Sequence, residues 1–391
     1  MRYLLFDDED RNNLLPLSYT RPIGEFRIGI LTLNEKWQKR MPEKAEFAGY
    51  ITESYLQTKY PCDIKEDQWW VNSSVCPTDE LVKDILALQM NESLFDSTKT
   101  LIAFRSADFK AILDCHMIFT EHEFTHIVSI TDIFSKNGIE LQLDYDLLTH
   151  GRTSQNIHPS NKVLGAEQIF IEEGAEVQCA VINARHGPVY IGRKAKVLEG
   201  SIIRGPFALC AHAQINLGAK IYGPTTIGPH SKVGGELNNV VIFGYTNKGH
   251  DGFLGNSVLG EWCNIGAGSN NSNLKNNYAI VRLWNYPTNS FTSTELLFCG
   301  LIMGDHSKCG INTMFNTGTV VGVSANIFGA GFPRNFIPSF SWGGPQGQSI
   351  YQMSKAFEVA EKVMQRRGLV LNEVEKSILT KVFELSDDLR R

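Results

Sequence analysis

Between Ile191 and Val233 an aliphatic side chain returns at every sixth position: Ile191, Val197, Ile203, Leu209, Ile215, Ile221, Ile227 and Val233. Gly192, Gly228 and Gly234 follow three of these beats, and Ala195, Ala213 and Ala219 lie between them. A period of six matches neither the roughly 3.6-residue helical repeat nor the two-residue alternation of a strand. It predicts a parallel β-helix of hexapeptide units, each a short strand and a corner, three to a coil. One aliphatic side chain per unit points into a narrow core, and a neighbouring glycine permits a tight corner. Eight such side chains do not offset the entropy of ordering so long a stretch, so further coils are required. Met303, Cys309, Phe315 and Val321 supply a second set of beats, with Gly304, Gly310 and Gly322 after three of them.

The 391 residues suffice for two or three domains. With 37 basic and 42 acidic residues and no Lys/Arg stripe, a nucleic-acid surface is not expected. Eight scattered cysteines without a Cys-x-x-Cys pair read as small buried hydrophobes in a reducing compartment. The start turns acidic at Asp7 and Asp8, and no apolar run reaches membrane-spanning length. The expectation is a cytoplasmic protein without a membrane partner.

Residues 1–150 lack the six-residue beat and predict an α/β domain, residues 151–345 the β-helix, and residues 346–391 C-terminal helices. In the first region Tyr3 to Phe6, Trp69 to Val71 and Thr100 to Phe104 read as strands, and Thr78 caps a helix running to Met90. That order predicts a mostly parallel sheet with ligand loops at strand ends. The loop after the first strand carries Arg11, Arg21 and Arg27, three guanidinium groups suited to phosphate oxygens. His150 to Ser160 reads as a joint, and Phe340 to Pro345 as the break ending the repeats. Beyond it, Met353, Phe357, Ala360 and Val363-Met364 share one helical face, and a second helical segment starts at Asn372.

Between the two periodic runs lies an aperiodic stretch. It contains Lys248-Gly249-His250, Leu254-Gly255, Asn264-Ile265-Gly266-Ala267-Gly268, and Asn273 nine residues after Asn264. At this spacing it resembles the acetyltransferase half of the bifunctional N-acetylglucosamine-1-phosphate uridyltransferase / glucosamine-1-phosphate N-acetyltransferase family. The resemblance implies a left-handed parallel β-helix, with His250 as general base and Asn264 and Asn273 as sugar-phosphate and amide contacts. The residue types suit that chemistry: an amine attacking a thioester must lose a proton, which an imidazole accepts near neutral pH. Phe253 stands where the family usually has Tyr, and Asn238 stands about where a phosphate-binding Lys is expected. Lys248 is a candidate to replace that charge, and these departures leave the acceptor open. Gly300 to Thr313 resembles the coils that follow the active site in the family. By that likeness acetyl-CoA lies beside Ala267 and Lys308, and three copies form a homotrimer.

The N-terminal region resembles the nucleotidyltransferase half in a variant bacterial form, on Leu15-Pro16-Leu17-Ser18-Tyr19-Thr20-Arg21-Pro22 and Gly24-Glu25-Phe26-Arg27-Ile28-Gly29. The resemblance implies UTP bound through Arg11, Arg21 and Arg27, and Mg2+ held by Asp7 or Asp8. The strand end Val71-Asn72-Ser73-Ser74 lacks the metal-binding Asp that follows such a strand in the family. The implied activity is acetylation of glucosamine-1-phosphate followed by uridylyl transfer to give UDP-N-acetylglucosamine. Transfer to another sugar phosphate and a sugar-nucleotide-binding scaffold or sensor stay open. A zinc carbonic anhydrase on the same solenoid fits less well, because His186, His212, His230, His250 and His306 lack that family's ligand pair five residues apart.

Overall fold

The structure is a computed structural model that describes residues 1–390. It divides into two compact units, one of residues 1–14, 20–26 and 31–130, the other of residues 15–19, 27–30 and those from Thr131 onward. The division therefore falls at 130/131 with two early segments reassigned, where the sequence suggested 150/151.

The first unit is a six-stranded sheet in the order β2-β1-β3-β5-β4-β6. Its strands are β1 (Arg2–Phe6), β2 (Glu46–Ile51), β3 (Gln68–Asn72), β4 (Glu92–Phe95), β5 (Leu101–Ser106) and β6 (His116–Phe119). Helix α1 (Leu33–Arg40) starts with a capping box of Thr32 and Glu35, and α2 (Asp79–Ala87) starts at Thr78, whose side chain accepts from the Leu81 amide. β1 pairs in parallel with β2 and β3, but β5 runs antiparallel between β3 and β4. The expected parallel third strand is thus the return arm of a hairpin. Asp96 sets its turn by accepting from the amides of Thr98 and Thr100, with Lys99 at φ 67°. The three buried indoles all find acceptors: Trp37 on Val75, Trp69 on Ile85 and Trp70 on Ser106.

The second unit is a parallel β-solenoid of about ten turns. Ile191 pairs with Leu209 and Leu209 with Ile227; Val197 pairs with Ile215 and Ile215 with Val233. Each step is 18 residues, three hexapeptides to a coil. All eight beats are at most 3% exposed and belong to one continuous core with Met303, Cys309, Phe315 and Val321. His150 to Ser160 is not a free joint, because Gln155 covers the first coil: its amide donates to Ile171 and its side chain bonds Gly174 and Ala175. At the far end Ser341–Gly344 still pairs in parallel with Asn326–Ile327, then folds back as a hairpin onto Gly347–Ile350. The repeats thus continue through the segment expected to break them.

Helices α3 (Asp132–Ser135) and α4 (Asn137–Thr149) pack on this solenoid, where Asn137 donates to Pro224 and Asp144 accepts from Ile30. Helix α5 (Met353–Gln365) buries Ala356, Ala360 and Met364, and α6 (Glu373–Leu385), capped by Asn372 and Glu375, buries Ile378, Leu379 and Val382. No helix among the described residues is long and apolar enough to cross a membrane.

Along one corner the repeat places His212, His230, Tyr245, Trp262 and His306 in the left-handed region, with φ from 52° to 61°. Their rings stack in succession at 4.8, 4.8, 4.3 and 6.2 Å. Such backbone is costly for non-glycine residues, and ring stacking offsets part of that cost. Burial, His212 and Arg367 together hold the His230 imidazole below its usual 6.5. The unfolded chain therefore takes up this proton at a pH where the folded chain does not, so stability present above 6.5 is lost as pH falls below it. We expect the melting temperature to drop less between pH 7 and about pH 5 in His230→Phe, which keeps a ring in the stack, than in the wild type.

Candidate functional site

The six-residue beat fails where the sequence placed its candidate residues, yet the coils continue. After Val233 the next pairing is with Lys248, a step of 15 residues; Asn247 pairs with Asn264, a step of 17; and Asn264 pairs with Lys308, a step of 44. The last step contains an excursion whose hairpin pairs Arg282–Asn285 with Ser290–Ser293. The shortened coils form a corner, residues 249–252, that carries His250.

That corner is tightly tied at the backbone. The Lys248 carbonyl accepts from Gly234, Gly249 from Asn216 Nδ2 at 2.7 Å, Asp251 from Gly268 and Gly252 from Glu236. The His250 carbonyl accepts from Lys248 Nζ at 2.5 Å. The His250 residue is exposed, and its ring makes no hydrogen bond to any described residue. Two residues beyond each paired strand, the same edge carries Leu217, Gly235, His250, Ala267 and Ile311. Leu217 and Ile311, two coils to either side of the imidazole, are 67% and 72% exposed.

The other predicted residues fall into two groups flanking that corner. Asn264 and Lys308 lie in register in an outer row that also holds Asn247 and Asn326; Asn264 Oδ1 accepts from Asn247 at 3.0 Å. Asn238, Phe253 and Asn273 lie beyond the corner: Asn238 pairs with Gly255, and a Cβ on Gly255 would strike both the Phe253 ring and Asn273 Nδ2. Asn273 Nδ2 donates to Asn256 Oδ1 at 2.8 Å. Asn264 and Asn273 are thus on different faces, with Asn273 grouped with Phe253.

Lys248 is placed otherwise than expected. Lys248 is 1% exposed, paired with the inward Val233, and its ammonium donates to the carbonyls of Gly234 and His250. It cannot replace a phosphate-binding charge at the surface. Lys308 Nζ donates to the His306 carbonyl at 2.7 Å. Burial lowers both ammonium groups to about 8.

In the first unit the loop after β1 folds inward. Asp7 accepts from Arg11 at 2.7 Å, from Thr52 at 2.5 Å and from the Ile23 amide at 2.9 Å; burial pushes its carboxyl up while Arg11 opposes. Arg11 also donates to the Arg21 carbonyl, and Arg11 and Arg21 are 6% and 5% exposed. This is an internal polar network rather than an open phosphate cradle. Arg27 belongs to the second unit, where its guanidinium is engaged by the carbonyls of Phe243 and Ile30 rather than left to meet a phosphate.

Asp7 is therefore not placed to hold a metal, and Asp8 is differently situated. Its carboxylate receives Asn72 Nδ2 at 2.7 Å and Ser74 Oγ at 3.3 Å, and ligand atoms of Asp8, Asp10 and His126 lie within 4.8 Å of one another. His126 reaches this point through a backbone bridge to Val75, and its Nε2 is 3.0 Å from Ser74 Oγ. Burial, and then the neighbouring Asp8, push the Asp10 carboxyl up. Asp10 and His126 were not singled out in the sequence, since no local spacing links residue 126 to residues 8 and 10.

Residues 3–153 match the family model described as sugar nucleotidyl transferase, and the first unit is a nucleotidyltransferase-like domain. The chain is 32% identical over 97 residues to the bifunctional protein GlmU of Methanococcus maripaludis, an alignment covering 24% of this chain and 22% of that protein. The likeness thus spans about a fifth of that relative's length. Among solved structures, a UDP-N-acetylglucosamine acyltransferase of Arabidopsis aligns at 16% identity and TM-score 0.24, over 59% of this chain and 90% of that one. A point mutant of AntD, an N-acyltransferase of Bacillus cereus in complex with dTDP and coenzyme A, aligns at 11% identity and TM-score 0.22, over 53% and 91%.

Removing the Asp7 carboxylate leaves the buried Arg11 guanidinium without its counter-charge. Asp7→Ala should cost about 3–5 kcal/mol in urea unfolding, and Asp8→Ala about 1 kcal/mol or less.

Proposed function

We propose that the solenoid transfers an acetyl group from acetyl-CoA to the amine of a sugar 1-phosphate, glucosamine-1-phosphate first, with His250 as general base. The observation that supports this most is the exposed, unbonded imidazole on a corner whose backbone carbonyls are all engaged. As the amine attacks the thioester carbonyl, His250 takes its proton; the C–N bond forms, the C–S bond breaks, and the leaving thiolate takes that proton from the imidazolium, which returns His250 to its neutral form. Asn273, fixed by Asn256, offers its amide oxygen to the acceptor, and Phe253 walls the same group. Asn264, Ala267 and Lys308 line the neighbouring outer row and edge, along which the pantetheine arm of acetyl-CoA is placed in this reading. Three copies would cover the exposed Leu217 and Ile311, and an enzyme of this kind works in the cytoplasm.

In the same reading the first unit joins the acetylated product to UTP and releases pyrophosphate. Mg2+ supplies charge neutralisation at the triphosphate, and Asp8 and Asp10 are the residues whose hard oxygens suit it, with His126 beside them. Arg11 and Arg21 act there by holding the loop rather than by touching phosphate.

A second reading keeps the acetyl transfer and changes the acceptor. With Lys248 and Lys308 engaged on carbonyls, the group around His250 recognises hydroxyl and amide functions better than a phosphate.

Free-thiol release from acetyl-CoA with glucosamine-1-phosphate tests the reading. His250→Ala should lower turnover by about 10²–10⁴-fold, and pyrophosphate release from UTP and Mg2+ should be lost in Asp8→Asn. Turnover unchanged in His250→Ala would overturn the role of His250. Turnover only with other amino sugars would select the second reading.

A further inference from the structure

A lysine inside a β-helix core carries an unusual desolvation cost, and Lys248 occupies a position that Val233 fills one coil earlier. Its ammonium is held by two carbonyls, Gly234 at 3.0 Å in the preceding coil and His250 at 2.5 Å in the corner that follows it. Among the described residues no other group donates to the His250 carbonyl. The carbonyls of residues 248, 249, 251 and 252 are held by partners that any hexapeptide coil could provide, backbone amides and one asparagine. The residue that presents the imidazole is held by Lys248.

We propose that Lys248 is a positioning residue, whose buried ammonium ties the His250 carbonyl to the coil below and so fixes the direction in which the imidazole leaves the corner. The proposal rests on the reading of His250 as general base. Mobility at the corner would leave acetyl-CoA binding intact, because Asn264, Ala267 and Lys308 belong to other coils, while the base would meet the amine less often in productive geometry. A purely structural lysine behaves differently. Replacing a buried ammonium by an apolar side chain of similar length removes its desolvation cost, which offsets the loss of a donor to the two carbonyls and leaves the net stability change small. Stability and turnover should therefore separate in Lys248→Met.

Charge state links the tie to pH. Burial lowers the ammonium to about 8, while Asp251 on the same corner and Cys309, two coils further along the same inward row, pull it the other way. Loss of the proton removes one donor and the charge from both carbonyl contacts.

The test combines three measurements on the full chain. In Lys248→Met we expect kcat to fall about 10–10²-fold, KM for acetyl-CoA to stay nearly constant, the melting temperature to change little, and exchange of the Glu236 and Gly268 amides, which donate to the corner carbonyls of Gly252 and Asp251, to quicken. An unchanged kcat or unchanged exchange overturns the proposal, as does a loss of kcat that only parallels a loss of stability. Should Lys248→Met not fold, the wild type decides. Corrected for intrinsic rate, protection of the Glu236 and Gly268 amides should decline through about pH 8 while that of residues 221–233 does not; equal behaviour of the two sets overturns it. If no amino sugar supports thiol release by the wild type, the reading of His250 as a base fails, and hydrogen exchange alone judges the tie.

Discussion

The parallel backbone ladder between successive coils is the interaction on which the second unit depends. Each coil donates its amides to the next, so a short strand of two or three residues, unstable by itself, is held on both sides. The inward beats supply the burial and the ladder supplies the register. Because register is inherited from coil to coil, a corner can lengthen, shorten or extrude a hairpin without disturbing the strands that flank it. Steps of 15, 17 and 44 residues follow a run of steps of 18 in a single continuous core.

That tolerance is what makes a site possible. The corner at 249–252 presents an exposed imidazole, with its four carbonyls bonded to Asn216, Lys248, Gly268 and Glu236. Rigid backbone with an unbonded side chain is the arrangement a general base needs, since the geometry is set before substrate arrives. The outer row of Asn264 and Lys308 and the group of Asn238, Phe253 and Asn273 lie on either side, one for each of two substrates in the proposed reaction.

What the sequence made legible was whatever rests on local pattern. The inward beats, the Thr78 cap and the helix from Asn372 depend on neighbours a few residues away, and each is where the pattern placed it. Pairings distant in the chain were hidden. Arg27 was read with the loop that contains it, but its carbonyl partner Phe243 lies more than two hundred residues on. Lys248 looked like a surface charge because the beat is lost just there, and only the pairing with Val233 shows it facing inward. β5 looked parallel because its hairpin turn is set by a single Asp96. His126 joins Asp8 and Asp10 through a bridge to Val75 that no spacing announces. For the candidate site, the motif indicated the corner, and the structure shows which of its side chains is exposed, that of His250, and which lies in the core, that of Lys248.

The central claim, that the imidazole of His250, one of ten histidines, carries the chemistry, is tested most directly by chemical modification. The native protein would be treated with diethyl pyrocarbonate, the order of modification read by peptide mass spectrometry, and thiol release from acetyl-CoA followed in the same samples. The account predicts that loss of turnover follows modification of His250 alone and that acetyl-CoA together with the amino sugar slows that modification. Turnover that survives full modification of His250, or that tracks His212 or another histidine instead, would contradict it.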